Sequence, residues 1–172
     1  MDTGAAAELR ALLLAQPIGA LGTLHDVRGG VEPFVSMVPV AWLPDGQPLI
    51  HVSGLAPHTR DLQSHPQVSL MLTAPLLPDA NPQALARLTL QARAVVITRD
   101  DAEWAAARAV YQGRFPRSEQ TFALGDFLLV RLQPQSARFI AGFGRAFGLT
   151  AAALAEVLAD ALAGLPAPRA GS

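Results

Sequence analysis

Leu9, Leu12 and Leu13 recur at helical spacing within residues 5–15, so the chain is read as opening with an amphipathic helix over residues 1–16, which Pro17 ends. The hydrophobic period then shortens. Residues 18–24 have β character, and Asp26-Val27-Arg28-Gly29-Gly30 reads as a turn whose glycine pair permits a hairpin. Residues 32–42 form the next strand, with Pro33 and Pro39 restricted to a strand start, an edge or a bulge. Pro44-Asp45-Gly46-Gln47 is a second hairpin turn, after which residues 49–52 return as a strand. Residues 57–64 are a short helix and residues 67–73 a strand.

Residues 76–84 hold too many breakers for regular structure, whereas residues 88–96 begin with strict apolar–polar alternation and read as a half-buried strand. Asp100 and Glu103 have the spacing of a capping box, predicting a helix with Trp104, Ala107 and Tyr111 on one face. Residues 126–132 and 137–140 are strands on either side of a break at Pro134. Gly142-Phe143-Gly144-Arg145-Ala146 is a glycine-hinged loop. Thr150 caps a final Ala/Leu helix within residues 149–164, and residues 165–172 form a flexible tail. Short strands joined by tight turns, with helices between and at the ends, predict one α+β, mainly β domain over residues 1–172, built as an antiparallel barrel with peripheral helices. Strictly alternating strand–helix order and a GxGxxG turn are both absent, which disfavours a Rossmann fold.

Composition narrows the chemistry. The chain of 172 residues is 51% hydrophobic and 16% charged, so disorder is disfavoured and part of the apolar surface is expected against a second subunit. The net charge is −1 and there is no basic tract, which makes nucleic acid and anionic membranes poor partners. All 13 basic residues are Arg, so a Schiff-base lysine is excluded and any cationic side chain on a phosphate is a guanidinium. The chain has no Cys, which removes disulfides, thiolate nucleophiles and Cys-ligated zinc. No apolar run reaches membrane-spanning length, and the first helix carries Glu8 and Arg10 rather than a basic leader; the cytoplasm is expected.

The densest chemistry lies at Ser53-Gly54-Leu55-Ala56-Pro57-His58-Thr59-Arg60-Asp61-Leu62, where a strand gives way to a helix. Helix-start N–H groups, the Thr59 hydroxyl and the two-pronged Arg60 guanidinium suit a phosphate. His25, His51 and His65 show no metal-ligand spacing and are read as structural or surface residues, so no metal site is expected.

This order of elements resembles the pyridoxamine 5'-phosphate oxidase-related FMN-binding split barrels, with the haem-utilisation branch nearest in pattern. Four pieces carry the resemblance: Pro33-Phe34-Val35-Ser36-Met37-Val38-Pro39-Val40; Val52 to Leu62 followed by Pro66-Gln67-Val68-Ser69-Leu70; Ala86-Arg87-Leu88-Thr89-Leu90-Gln91-Ala92-Arg93-Ala94; and Gly142 to Ala146. The resemblance implies a homodimer with FMN at the subunit interface. It implies Ser36 along the flavin ring, Ser53, Thr59 and Arg60 at the phosphate with His58 nearby, and Arg87 and Thr89 from an adjacent strand. Asp61 stands where such sequences usually carry Asn, and Ala92 where they usually carry Gly.

The reading is an FMN-dependent oxidoreductase of unknown substrate, with the flavin supplying the electrons and no catalytic proton donor assigned. F420, another phosphate-bearing flavin, would suit the same corner. The alternatives are a haem-binding or haem-degrading protein, for which no His follows His65, and a non-catalytic flavin-binding protein.

Overall fold

The computed structural model describes residues 1–162. The chain begins with helix α1 (Thr3–Ala15), capped where the Ala5 N–H donates to the Asp2 carboxylate at 2.7 Å. Ala5, Leu9, Leu12 and Leu13 form its buried face, the one expected from the leucine spacing. Strands β1 (Ile18–Val27) and β2 (Gly30–Pro39) make a long hairpin around Gly29, whose φ of +102° only glycine adopts without strain.

Strand β3 (Ala41–Trp42) and β4 (Pro48–Ser53) follow, then α2 (Pro57–Ser64), β5 (Gln67–Thr73) and β6 (Arg87–Ile97). Helices α3 (Trp104–Arg114) and α4 (Glu119–Phe122) precede β7 (Phe127–Gly142) and β8 (Arg145–Thr150), and α5 (Ala151–Leu162) closes the described chain. The predicted C-terminal helix of residues 149–164 is seen as α5 up to Leu162; the predicted tail of residues 165–172 lies outside the described residues.

All strand pairs are antiparallel, in the order β2-β1-β5-β6-β7-β4-β3, with β8 added against β7. This is the expected mainly β split barrel with peripheral helices. Leu21, Val38, Ile50, Leu70, Leu90 and Phe139 fill its interior, and α1 and α5 pack over the same cluster. Each such side chain contributes about 1.5–3 kcal/mol on burial. A second cluster around Leu49, Ile97, Tyr111 and Phe122 lies under α3 and α4.

Three local expectations are corrected. The strands predicted on either side of Pro134 form one 16-residue strand, β7. Pairing jumps from Gln91–Ser136 to Ala92–Pro134, leaving Gln135 as the extra residue of a bulge, the kind of place where a strand tolerates proline. The capping box at Asp100 does not form: the helix starts at Trp104, Glu103 pairs with Arg131 at 2.9 Å, and Asp101 accepts from the Thr98 N–H and hydroxyl. Residues 145–150, read as loop and cap, form β8, although Thr150 also caps α5 by accepting from the Ala153 N–H.

Candidate functional site

Half of the β1–β2 hairpin runs beyond the sheet. β1 pairs with β5 only over Ala20–Gly22, while its pairing with β2 continues to Val27 and Gly30. Helix α2 lies against this projecting ribbon, because Leu62 enters the barrel core while Thr59 and Asp61 point inward beside it. Three of the four histidines are brought together along this contact.

His58 Nδ1 is 3.0 Å from the Ser36 hydroxyl, joining two of the predicted site residues. Burial holds its imidazole below the usual histidine pKa, against the opposing pull of Asp61, so the neutral form is favoured. His65 Nε2 is 2.7 Å from the exposed Asp26 carboxylate. His25 Nδ1 is 2.7 Å from Asp61 Oδ1, and the Thr23 hydroxyl donates to Asp61 Oδ2 at 2.8 Å. Asp61 is 3% exposed, and among the described residues its carboxylate is held by two hydrogen bonds and no guanidinium.

This answers the question posed by an acid where Asn is usual. Asp61 neither faces the phosphate corner nor pairs with Arg60; it anchors His25. Ala92, the other departure, is 2% exposed and packs in the barrel core.

The predicted phosphate corner is more self-contained than its composition suggested. Ser53 donates to the Asp126 carboxylate at 2.8 Å and accepts from the Leu55 N–H. The Gly54 N–H is committed to the Asp126 carbonyl and the Ala56 N–H to the Ser53 carbonyl. Thr59 is fully buried and its hydroxyl donates to the Ser53 carbonyl at 2.6 Å, so it closes the turn from inside rather than pointing a donor outward. Pro57 has no N–H. What remains outward is the Arg60 guanidinium, exposed and without a hydrogen bond or ion pair among the described residues.

Arg87 and Thr89 occupy a different surface, the outward side of β6. Arg87 Nη1 donates to the Leu85 carbonyl at 3.0 Å and borders an open depression of about 430 Å³ shared with Ile140, Phe143 and Arg145. Thr89 stands opposite Met71 on β5 and Arg138 on β7. Arg145 pairs with Glu8 at 2.9 Å and Asp2 at 3.6 Å on the α1 side. The structure therefore groups Ser36, His58, Thr59 and Arg60 around α2 and leaves Arg87 and Thr89 apart from them within one chain.

His51, read as structural, is buried in the second cluster, where burial and Arg108 lower its pKa to about 4. Sequence reasoning missed Thr23, His25 and Asp61 as a unit. Thirty-six residues separate the His from its acid, and the one available signal was Asp61 replacing the usual Asn. Among the described residues no group of three or more His, Asp or Glu side chains could hold a metal ion by itself.

The pyridoxamine 5'-phosphate oxidase family matches residues 5–141. The chain is 34% identical over 140 residues to the chloroplastic non-canonical heme oxygenase HOZ of Arabidopsis thaliana, covering 81% of this chain but 41% of that protein. It is 34% identical over 123 residues to heme oxygenase HutZ of Vibrio cholerae, covering 71% of this chain and 68% of that one. A heme binding protein from Mycobacterium smegmatis superposes with a TM-score of 0.78 at 32% identity, covering 91% of this chain and 62% of the other. The chain thus spans less than half of the plant relative's length.

Proposed function

The chain belongs to the pyridoxamine 5'-phosphate oxidase family, and on that premise we propose that it is a haem-binding protein of the haem-utilisation branch. The observation that carries the reading is the α2 corner, where His25 and His58 are each held by a hydrogen bond and Arg60 of the same helix keeps an exposed, uncommitted guanidinium. His25 and His58 each have one ring nitrogen tied to a neighbour, which leaves the other for a ligand. Arg60 supplies a positive charge for a carboxylate, and haem carries two propionates. Phe34 and Leu55, both exposed, offer apolar contact at the same corner. An imidazole, a cation and an aromatic surface suit an iron porphyrin; a flavin requires no imidazole.

The flavin reading, whether FMN or F420, asks more of the corner than it offers. The Ser53 and Thr59 hydroxyl protons are committed inside the turn, and the Asp126 carboxylate accepts from Ser53 there. Bound haem would supply an iron centre able to bind oxygen or pass electrons. The residues of this chain would orient it and neutralise its propionates.

The chain is further proposed to work as a homodimer. The outward side of β1, β2 and β5 exposes Ile18, Val35, Met37 and Met71 around a shallow depression of about 350 Å³. An apolar patch of that kind on a sheet face marks an association surface. No helix among the described residues is long and apolar enough to cross a membrane.

Titrating the purified chain with ferric haemin and, separately, with FMN tests the assignment. A saturable Soret band with one haem per chain is expected. Tight FMN binding without a Soret shift would reverse it.

A further inference from the structure

We propose that His25 is the residue that ligates the haem iron, with Asp61 as the positioning residue that fixes its tautomer and strengthens it as a donor; this rests on the haem reading above. The four histidines differ in what their rings can still do. His51 is 7% exposed and lies flat on Phe122 at 3.8 Å, closed to any ligand. His65 engages Nε2 with Asp26, a carboxylate 63% exposed, and keeps only the nitrogen nearer its own backbone. His58 faces a neutral hydroxyl through Nδ1.

His25 alone combines a carboxylate partner on Nδ1 with an unengaged Nε2 and a side chain 37% exposed. A carboxylate only accepts, so in the neutral ring Nδ1 carries the proton and Nε2 holds the lone pair that a metal needs. The ring rests against Phe34, with centroids 5.5 Å apart, which limits its rotation. Asp61 is anchored in turn by Thr23, itself 3% exposed.

The energetics of Asp61 support the same assignment. Burying a carboxylate without a cation is costly, and here the compensation comes from a hydroxyl and an imidazole. A Lewis-acidic ion on His25 Nε2 would place positive charge across the ring from that buried anion. The arrangement is that of a metal-bound histidine with its orienting acid already in place.

Ferric haemin titration of the full chain, followed by resonance Raman spectra of the ferrous form, tests this. The parent should show an iron–histidine stretch. His25→Gly should lose it and regain it with added imidazole, a rescue that a collapsed fold cannot give; His58→Ala should keep it. Asp61→Asn should weaken haemin binding roughly 10–100-fold and lower the stretching frequency, as expected when an orienting acid loses its charge. A parent that binds haemin while His25→Gly retains the stretch unaided, or while His58→Ala loses it, overturns the assignment to His25 but not the haem reading. An unchanged frequency in Asp61→Asn overturns the role of Asp61. A parent that binds no haemin overturns both proposals.

Discussion

The imidazole of His51 lies on the ring of Phe122 with centroids 3.8 Å apart and planes 12° from parallel. Tyr111 approaches edge-on and Phe127 at a tilt, and the Thr121 hydroxyl is 3.3 Å from Nδ1. Three aromatic rings, from α3, α4 and β7, thus meet around one neutral histidine on β4. Burial also pushes the Tyr111 phenol up to about 12, so neither His51 nor Tyr111 is charged at neutral pH.

Acid should open this cluster. The pKa of His51 is about 4 in the fold against 6.5 in the unfolded chain, so the unfolded chain takes up the proton first. The stabilisation is fully present above pH 6.5 and is lost as the pH falls toward 4. The loss should approach about 3 kcal/mol. Urea unfolding of the parent and of His51→Phe across this range checks it: the difference between the two should change with pH, and a pH-independent difference refutes it.

Gly54 should not accept a side chain. A Cβ there would sit 2.8 Å from the Asp126 carbonyl oxygen, the atom that accepts the Gly54 N–H. Gly54→Ala should destabilise the chain by about 1–3 kcal/mol. It should also loosen the turn that presents His58 and Arg60. Thermal unfolding measures the first effect and haemin affinity the second.

The ion pairs of Arg145 with Glu8 and Asp2 tie the β7–β8 turn to α1 across the surface. Both acids and the arginine are substantially exposed. Glu8→Gln should therefore cost under about 1 kcal/mol, and the cost should vanish in high salt. A larger, salt-independent loss in chemical denaturation would show that Glu8 acts through packing instead.

Met37 is 66% exposed at the middle of the apolar sheet face. If that face joins two copies, Met37→Glu should move the chain from dimer to monomer in light scattering at unchanged circular dichroism. Retention of the parent's mass would move the interface elsewhere.

The Arg60 guanidinium makes no hydrogen bond or ion pair among the described residues, so Arg60→Ala should leave stability within about 0.5 kcal/mol of the parent. Haemin affinity should fall several-fold through loss of a charge-assisted contact. Equal affinity in the variant would show that the propionates are held elsewhere.

Local pattern carried most of the architecture in the sequence itself. The leucines of α1, the glycines of the β1–β2 turn, Pro57 at the start of α2 and the alternation of β6 are local signals, and each element formed where its signal lay. Local signals misled where a partner strand overrode them. Pro134 reads as a break, yet β6 accommodates it with a bulge, and residues 145–150 became a strand because β7 was there to pair with.

The candidate site divided along the same line. Sequence by itself determined which chemistry was possible: arginine but no lysine, four histidines, no cysteine, and a cluster of polar residues entering α2. Only the tertiary structure decided how those groups were used. Packing of Leu62 into the barrel turned Asp61 inward to His25 and Thr23, closed the Thr59 hydroxyl onto Ser53, and left Arg60 outside. A helix assigns its side chains to faces by rotation alone, and which face meets the barrel is settled by where the apolar residues find burial.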